Sequence, residues 1–147
     1  MIVSDQDEYL KLDNQVCFAL YSASNAMSRA YQPLLKALDL TYLQYIVMMV
    51  LWEQQEINVK ALGAKTHLDS GTLTPLLKRL EAKGYVLRKR SAEDERVRVI
   101  TLTPVGTELK ERAQTVPEEI FCLSKMNENE LTSLKAQCEQ LLDNLTQ

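Results

Sequence analysis

The chain is poor in the residues from which many catalytic centres are built. It has one histidine, His67, among 147 residues. A hydrolytic relay needs a histidine beside its nucleophile, and imidazole-rich metal sites need several; both are disfavoured. The three cysteines, Cys17, Cys122 and Cys138, lie far apart. That spacing excludes the usual local zinc patterns and the CxxC pair of a recycling thiol enzyme. No apolar run is long enough to span a membrane. The N-terminal stretch MIVSDQDEYLKL is acidic and lacks the basic start and apolar run of a secretory signal. A cytoplasmic protein with reduced thiols is expected, with no membrane partner, metal or cofactor.

An overall positive charge is also missing, since the formal net charge is -3. Its distribution is uneven. Residues 60–100 hold ten basic and five acidic side chains, a balance of +5, whereas residues 1–59 and 101–147 each carry -4. Phosphate binding responds to a local basic patch, and acidic flanks limit indiscriminate adhesion. No internal repeat, low-complexity run or separate linker interrupts the chain, and its length suits one domain.

The basic centre has a definite pattern. Leu73, Leu76, Leu77 and Leu80 recur at i, i+3, i+4 and i+7, which predicts a helix over residues 68–83 with one buried face. The opposite face carries Gly71, Thr74, Pro75 and Lys78, flanked by Thr72 and Arg79. Asp69 or Ser70 can cap its start. Small and hydroxylated residues let such a helix end approach a groove floor, where N–H and hydroxyl groups meet phosphates or base edges. Pro75 requires either a start near Thr74 or a longer, slightly distorted helix, and the longer helix is favoured. Gly84 ends it. A strand at 85–90 follows, with Arg88 and Arg90 on one side. Then come a turn at 91–95 and a strand at 96–102, in which Arg96 and Arg98 alternate with Val97 and Val99. Arginines near a hairpin tip suit the minor groove. Asp94 is expected to pair with Arg96 and hold its guanidinium in one pose.

Around this unit the chain reads as helices. An apolar stripe predicts one long helix over about 7–37, with a kink or break at Pro33. Asp39 or Thr41 can cap a central buried helix at 42–53, in which Trp52 is core or interface. Asn58 caps a short helix at 59–66, which forms a helix-turn-helix pair with 68–83. Thr103 followed by Pro104 starts a helix running to about 123, interrupted by Pro117. Asn127 or Asn129 opens the last helix, whose Leu131, Leu134, Cys138, Leu141, Leu142 and Leu145 form a coiled-coil-like seam. Such a seam, with a palindromic DNA site as target, points to a two-fold homodimer built from both chain ends. The expected fold is mainly α with a small β-hairpin wing: a winged helix-turn-helix at about 42–103 inside one domain, 1–147, dimerising through about 7–37 and 104–147.

Cys17 and Tyr21 stand at i and i+4 and share a helix face. A phenol hydroxyl near a sulfur can donate to the thiolate and favour the form that reacts with peroxides. Tyr31 lies fourteen residues on, about 21 Å along a continuous helix. It can reach Cys17 of a partner whose first helix runs antiparallel, and Tyr42 can join it. The ordinary alternative is that these cysteines and tyrosines are packing residues. Cys138, on the leucine stripe, is read that way. His67 is read as capping or orienting its turn.

The element order, carried by LDSGTLTPLLKRLEAKGYV, DERVRVITLTPVG and the terminal helices, resembles the MarR family of dimeric bacterial repressors over essentially the whole chain. QVCFALYSASNAMSRAYQPLL and LTYLQYIVMMVLWE, with a cysteine at 122, are similar to its organic-hydroperoxide-sensing members. That resemblance implies a reactive cysteine at Cys17, supporting tyrosines at Tyr21, Tyr31 and Tyr42, and a resolving cysteine at Cys122. It implies a repressor, not an enzyme, that releases operator DNA when an organic hydroperoxide oxidises Cys17 and Cys122 closes a disulfide. Two rivals stand beside it. One is a repressor gated by a small aromatic or lipophilic ligand without redox chemistry. The other is a thiol peroxidase, against which the basic helix and wing weigh.

Overall fold

The computed structural model describes residues 6–147. The chain divides into two compact units, one ending at Gln114 and the other spanning Thr115–Gln147. The first five residues of the domain expected over 1–147 lie outside the described residues.

The first unit opens with two short 3-10 turns, Gln6–Leu10 and Leu12–Asn14, before α1 (Val16–Lys36). The apolar stripe predicts one helix from residue 7, and the structure corrects this. Asn14 Nδ2 donates to the Glu8 carbonyl at 2.8 Å, and Gln15 Nε2 donates to the carbonyls of Tyr9 and Lys11 at 2.5 and 2.8 Å. Amide side chains that bond nearby carbonyls compete with helical pairing, and Lys11 and Gln15 stay extended. At Pro33 no break occurs, because α1 continues to Lys36. Pro33 only forfeits a hydrogen bond to the Arg29 carbonyl.

The core is built mainly from the elements after α1. In α2 (Tyr42–Gln54) a capping box joins Thr41 to Gln44, and seven of thirteen residues are buried. Trp52 is one of them, and its indole N–H donates to the Gly106 carbonyl at 2.9 Å. A three-residue strand, β1 (Glu56–Asn58), comes next and is too short to announce itself in the sequence. Asn58 caps α3 (Val59–Thr66) by accepting the Ala61 N–H at 2.7 Å. His67 ends that helix in the left-handed region, φ 59°, so it shapes the turn as expected.

Asp69 caps α4 (Ser70–Ala82), accepting the Thr72 N–H at 2.8 Å, and Pro75 lies inside the helix. The longer helix is therefore the correct one. Leu73, Leu76, Leu77 and Leu80 are all buried. Gly84, at φ 82°, stops α4. The Gly84 N–H returns to the Glu81 carbonyl and the Tyr85 N–H to the Leu80 carbonyl, the paired bonds of a left-handed helix end.

Strands β2 (Val86–Arg90) and β3 (Arg98–Leu102) pair antiparallel, and β1 pairs with the other edge of β3, so the sheet order is β1-β3-β2. Arg96 and Val97, expected in the second strand, belong instead to the connecting turn. Ser91 N–H closes that turn on the Val97 carbonyl at 2.8 Å. Thr103 caps α5 (Pro104–Ala113). Gly106 is needed here because a Cβ would lie 2.3 Å from the Tyr85 carbonyl oxygen.

In the second unit, α6 (Val116–Ser124) has Pro117 in its first turn, and α7 (Glu128–Thr146) starts from a capping box between Asn127 and Glu130. The helix expected from residue 104 to about 123 is thus two helices. The interruption falls at residues 114–115, and Pro117 begins the second one, where its missing N–H costs nothing. Among the described residues no helix is long and apolar enough to cross a membrane.

Candidate DNA-reading surface and thiol site

Helix α4 separates its two jobs by face. Its four leucines turn inward, while Ser70, Gly71, Thr74, Pro75, Lys78 and Arg79 are exposed and Thr72 is half-buried. A surface of hydroxyls, a glycine and two cations is thereby presented by a helix whose back is fixed in the core. Pro75 leaves the Gly71 carbonyl without its helical donor, a cost lessened on an exposed face.

The wing carries its cations at two levels of freedom. Arg90 is exposed, and the Arg96 side chain is 91% exposed. Asp94 accepts from the Arg96 backbone N–H at 3.0 Å, from Nε at 3.1 Å and from Nη2 at 3.2 Å. The pairing expected from sequence is present. The Arg96 side-chain and backbone hydrogen bonds hold the Asp94 carboxyl below its usual range. Arg88 differs from the other arginines predicted to face DNA. Glu81 of α4 accepts its backbone N–H at 2.9 Å and its Nε at 3.1 Å. Those bonds hold the Glu81 carboxyl below the ordinary glutamate range, the backbone bond most strongly. Sequence reasoning misses this link. Its signal is a carboxylate seven residues before an arginine across a glycine turn.

Cys17 is the second residue of α1 and is exposed; Tyr21, one turn later, is 64% exposed. Gln15 provides no side-chain cap for α1, so the sulfur stands at the positive end of an uncapped helix. Tyr31 lies far down the same continuous helix and meets Tyr42 with ring centroids 4.8 Å apart. The structure thus brings together two of the three predicted tyrosines. Tyr45 joins them at 5.8 Å from Tyr31. Sequence reasoning misses it, although it sits three residues after Tyr42 on the same helix face. Burial, then the neighbouring Tyr42 and Tyr45, pushes the Tyr31 phenol up to about 12. Tyr31 therefore remains a hydroxyl donor at neutral pH. Cys122 lies exposed in the last turn of α6 and Cys138 lies exposed within α7; all three thiols are free.

Comparison with known proteins gives this arrangement a family. Residues 29–113 match the family model described as transcriptional regulator SarA/Rot. An organic hydroperoxide resistance transcriptional regulator of Bacillus subtilis is 47% identical over 140 residues, 95% of each chain. Among solved structures, AbfR, known from Staphylococcus epidermidis, is 36% to 37% identical. Reduced AbfR bound to DNA superposes with a TM-score of 0.79, over 97% of this chain and 100% of that one. Overoxidised AbfR bound to DNA gives 0.78, over 96% and 99%, and disulfide-formed AbfR gives 0.64, over 93% and 96%. The fold and its matches define a winged-helix transcriptional regulator. The chain belongs to the MarR family, among the regulators of organic hydroperoxide resistance.

Proposed function

We propose that this chain is a DNA-binding repressor that senses organic hydroperoxides through Cys17 and releases its operator when Cys17 and Cys122 form a disulfide. The observation that carries the DNA part is the outward face of α4, with Ser70, Gly71, Thr72, Thr74, Pro75, Lys78 and Arg79 set against a buried leucine back. As a homodimer, two copies of α4 enter adjacent major grooves of a palindromic site, and Arg90 and Arg96, the latter oriented by Asp94, follow the flanking minor grooves. Exposed apolar residues support a second copy as partner: Leu12, Val16 and Phe18 in the first unit, and Leu134, Leu141 and Leu145 in the second.

In the redox step the Cys17 thiolate attacks the peroxide O–O bond. Sulfur gains the terminal oxygen as a sulfenic acid, and the alkoxide leaves and takes a proton to become an alcohol. The Cys122 thiol of the partner subunit then displaces that oxygen as water, and a disulfide forms between the two chains. Tyr21, and Tyr31 with Tyr42 from the partner subunit, act as hydroxyl donors to the sulfur. AbfR has been seen on DNA both reduced and overoxidised, and its disulfide form matches this chain less closely. That supports the disulfide, more than oxidation itself, as the step that changes shape. The thiol reacts once per switch and turns over no substrate, and a cytoplasmic setting, with DNA and a reducing pool, goes with this cycle.

The test uses wild type and Cys122→Ser treated with tert-butyl hydroperoxide, followed on non-reducing gels and in DNA binding. The expected result is a covalent dimer and loss of DNA in wild type, both reversed by dithiothreitol, and neither in Cys122→Ser. Equal DNA binding by oxidised and reduced wild type overturns the reading.

A further inference from the structure

A helix leaves its last four carbonyls without N–H partners, and solvent or a local turn commonly takes them. At the end of α1 the backbone closes part of this need, with Leu38 and Leu40 N–H groups returning to the Leu35 carbonyl at 2.9 and 3.1 Å. The carbonyls of residues 37–39, in the turn that follows the helix, are held by side chains instead. Arg112 Nη2, from α5, donates to the Ala37 carbonyl. Tyr85, which leads into β2, donates its hydroxyl to the Leu38 carbonyl at 2.9 Å. Lys83, the cap residue of α4, donates its ammonium to the Asp39 carbonyl at 2.6 Å and to Gln44 Oε1 at 2.9 Å. The same ammonium lies 3.5 Å from the Asp39 carboxylate. Asp39 itself is in the left-handed region, φ 53°.

Three consecutive carbonyls therefore receive donors from the α4–β2 junction and from α5. Two of the donors, Lys83 and Tyr85, flank Gly84, where α4 gives way to the wing. By contrast, of the 21 residues of α1 only Leu35 is buried. Cys17 stands twenty residues before Ala37, about 30 Å along the helix. Helix α1 is thus a long arm fastened near its C-terminal end, with the thiol near the other end. A cleft of about 370 Å³, lined by Ser28, Gln32, Tyr42 and Lys83 among others, adjoins the fastening.

We propose that Lys83, Tyr85 and Arg112 are positioning residues of the switch: they clasp the turn that ends α1 to the α4–β2 junction and to α5, so that displacement of α1 after Cys17 oxidation turns the reading helix and wing. The proposal rests on the redox reading above. It assigns these side chains to neither DNA nor peroxide, but to the joint between them.

The test compares wild type with Tyr85→Phe and with Tyr85→Phe/Arg112→Leu. Lys83 is left in place because its ammonium also bonds Gln44 of the α2 capping box, so its loss would disturb the head itself. The probes are tert-butyl hydroperoxide and a duplex selected by reduced wild type from a random pool. Three quantities are read: affinity of the reduced protein, rate of Cys17 sulfenic acid formation, and loss of affinity on oxidation. The double variant should bind within about threefold of wild type when reduced and oxidise at the same rate. Its loss of affinity on oxidation should shrink by about fivefold or more, the scale of one or two hydrogen bonds. Tyr85→Phe, which removes a single oxygen, should shift the same ratio in the same direction by less. An unchanged ratio overturns the clasp. So does a reduced double variant that binds as weakly as oxidised wild type, since the contacts would then only maintain the head. If oxidised wild type keeps its DNA, the redox reading itself has failed, and the clasp falls with it.

Discussion

The winged-helix head and the flanking helices carry equally regular leucine patterns and treat them in opposite ways. In α4 the residues Leu73, Leu76, Leu77 and Leu80 are all buried. In α7 the residues Leu134, Leu141, Leu142 and Leu145 are exposed, and none of its nineteen residues is buried. The same contrast separates α2, seven of thirteen residues buried, from α1, one of twenty-one. A periodic apolar stripe states that a face is to be covered. It does not state which chain covers it. The head finds its cover within the chain, and α1 and α7 present faces suited to a second copy.

The largest expected effect contrasts the two stripes. Leu80 is fully buried, and Leu80→Ala should cost roughly 3 kcal/mol in chemical denaturation. Leu145, 75% exposed, should cost less than about 0.5 kcal/mol as alanine in a monomeric sample. Equal costs would erase the distinction. Next, Leu141→Glu/Leu142→Glu should weaken self-association by about 100-fold, the scale of a lost interface anchor. Sedimentation would report it, and helical content should be retained. A variant that remains dimeric would show that α7 is covered by something else.

A smaller effect concerns caps. Asp69 satisfies an N–H of α4, and Asp69→Ala should cost about 1 kcal/mol in thermal unfolding. Gln15 caps nothing in α1, and Gln15→Ala should cost less by the same thermal unfolding assay. The reverse order would make the arm, not the head, the better-anchored element. The smallest effect is on the acid limb of stability. Arg88 holds the Glu81 carboxyl below its ordinary range, so the folded chain keeps this charge where the unfolded chain has taken up a proton. The contribution is complete above the ordinary glutamate range and is lost as pH falls through the depressed value. Glu81→Gln should flatten that limb; an unchanged pH profile would show that the link contributes nothing.

Much of the head is legible in the sequence because its signals are local. Thr41, Asn58, Asp69, Thr103 and Asn127 each cap the helix that follows, and each is read from a polar residue before an apolar run. The leucine spacing of α4 and the pairing of Asp94 with Arg96 are local in the same sense. The features that escape depend on distant partners or on side-chain competition. Strand β1 has three residues and exists through pairing with β3, forty residues or more away. The donors that clasp the end of α1 lie 44, 47 and 75 residues beyond the carbonyls they meet. The start of α1 is hidden because Asn14 and Gln15, ordinary in a helical window, turn their amides onto upstream carbonyls. Of the candidate site, the outward-facing residues of α4 can be placed from spacing alone. The engagement of Arg88 cannot, since it depends on how the glycine turn folds β2 back against Glu81.

Asn58 serves as both the last residue of β1 and the cap of α3, so no spacer separates sheet from helix. Its backbone is in register with Val99 while its side chain closes on Ala61. One residue inserted between Ile57 and Val59 would either slip the strand, turning Ile57 from the core, or strip the helix of its cap. This junction should therefore tolerate neither insertion nor deletion. The turn between β2 and β3 has no such double duty, and changes in chain length should be accommodated there.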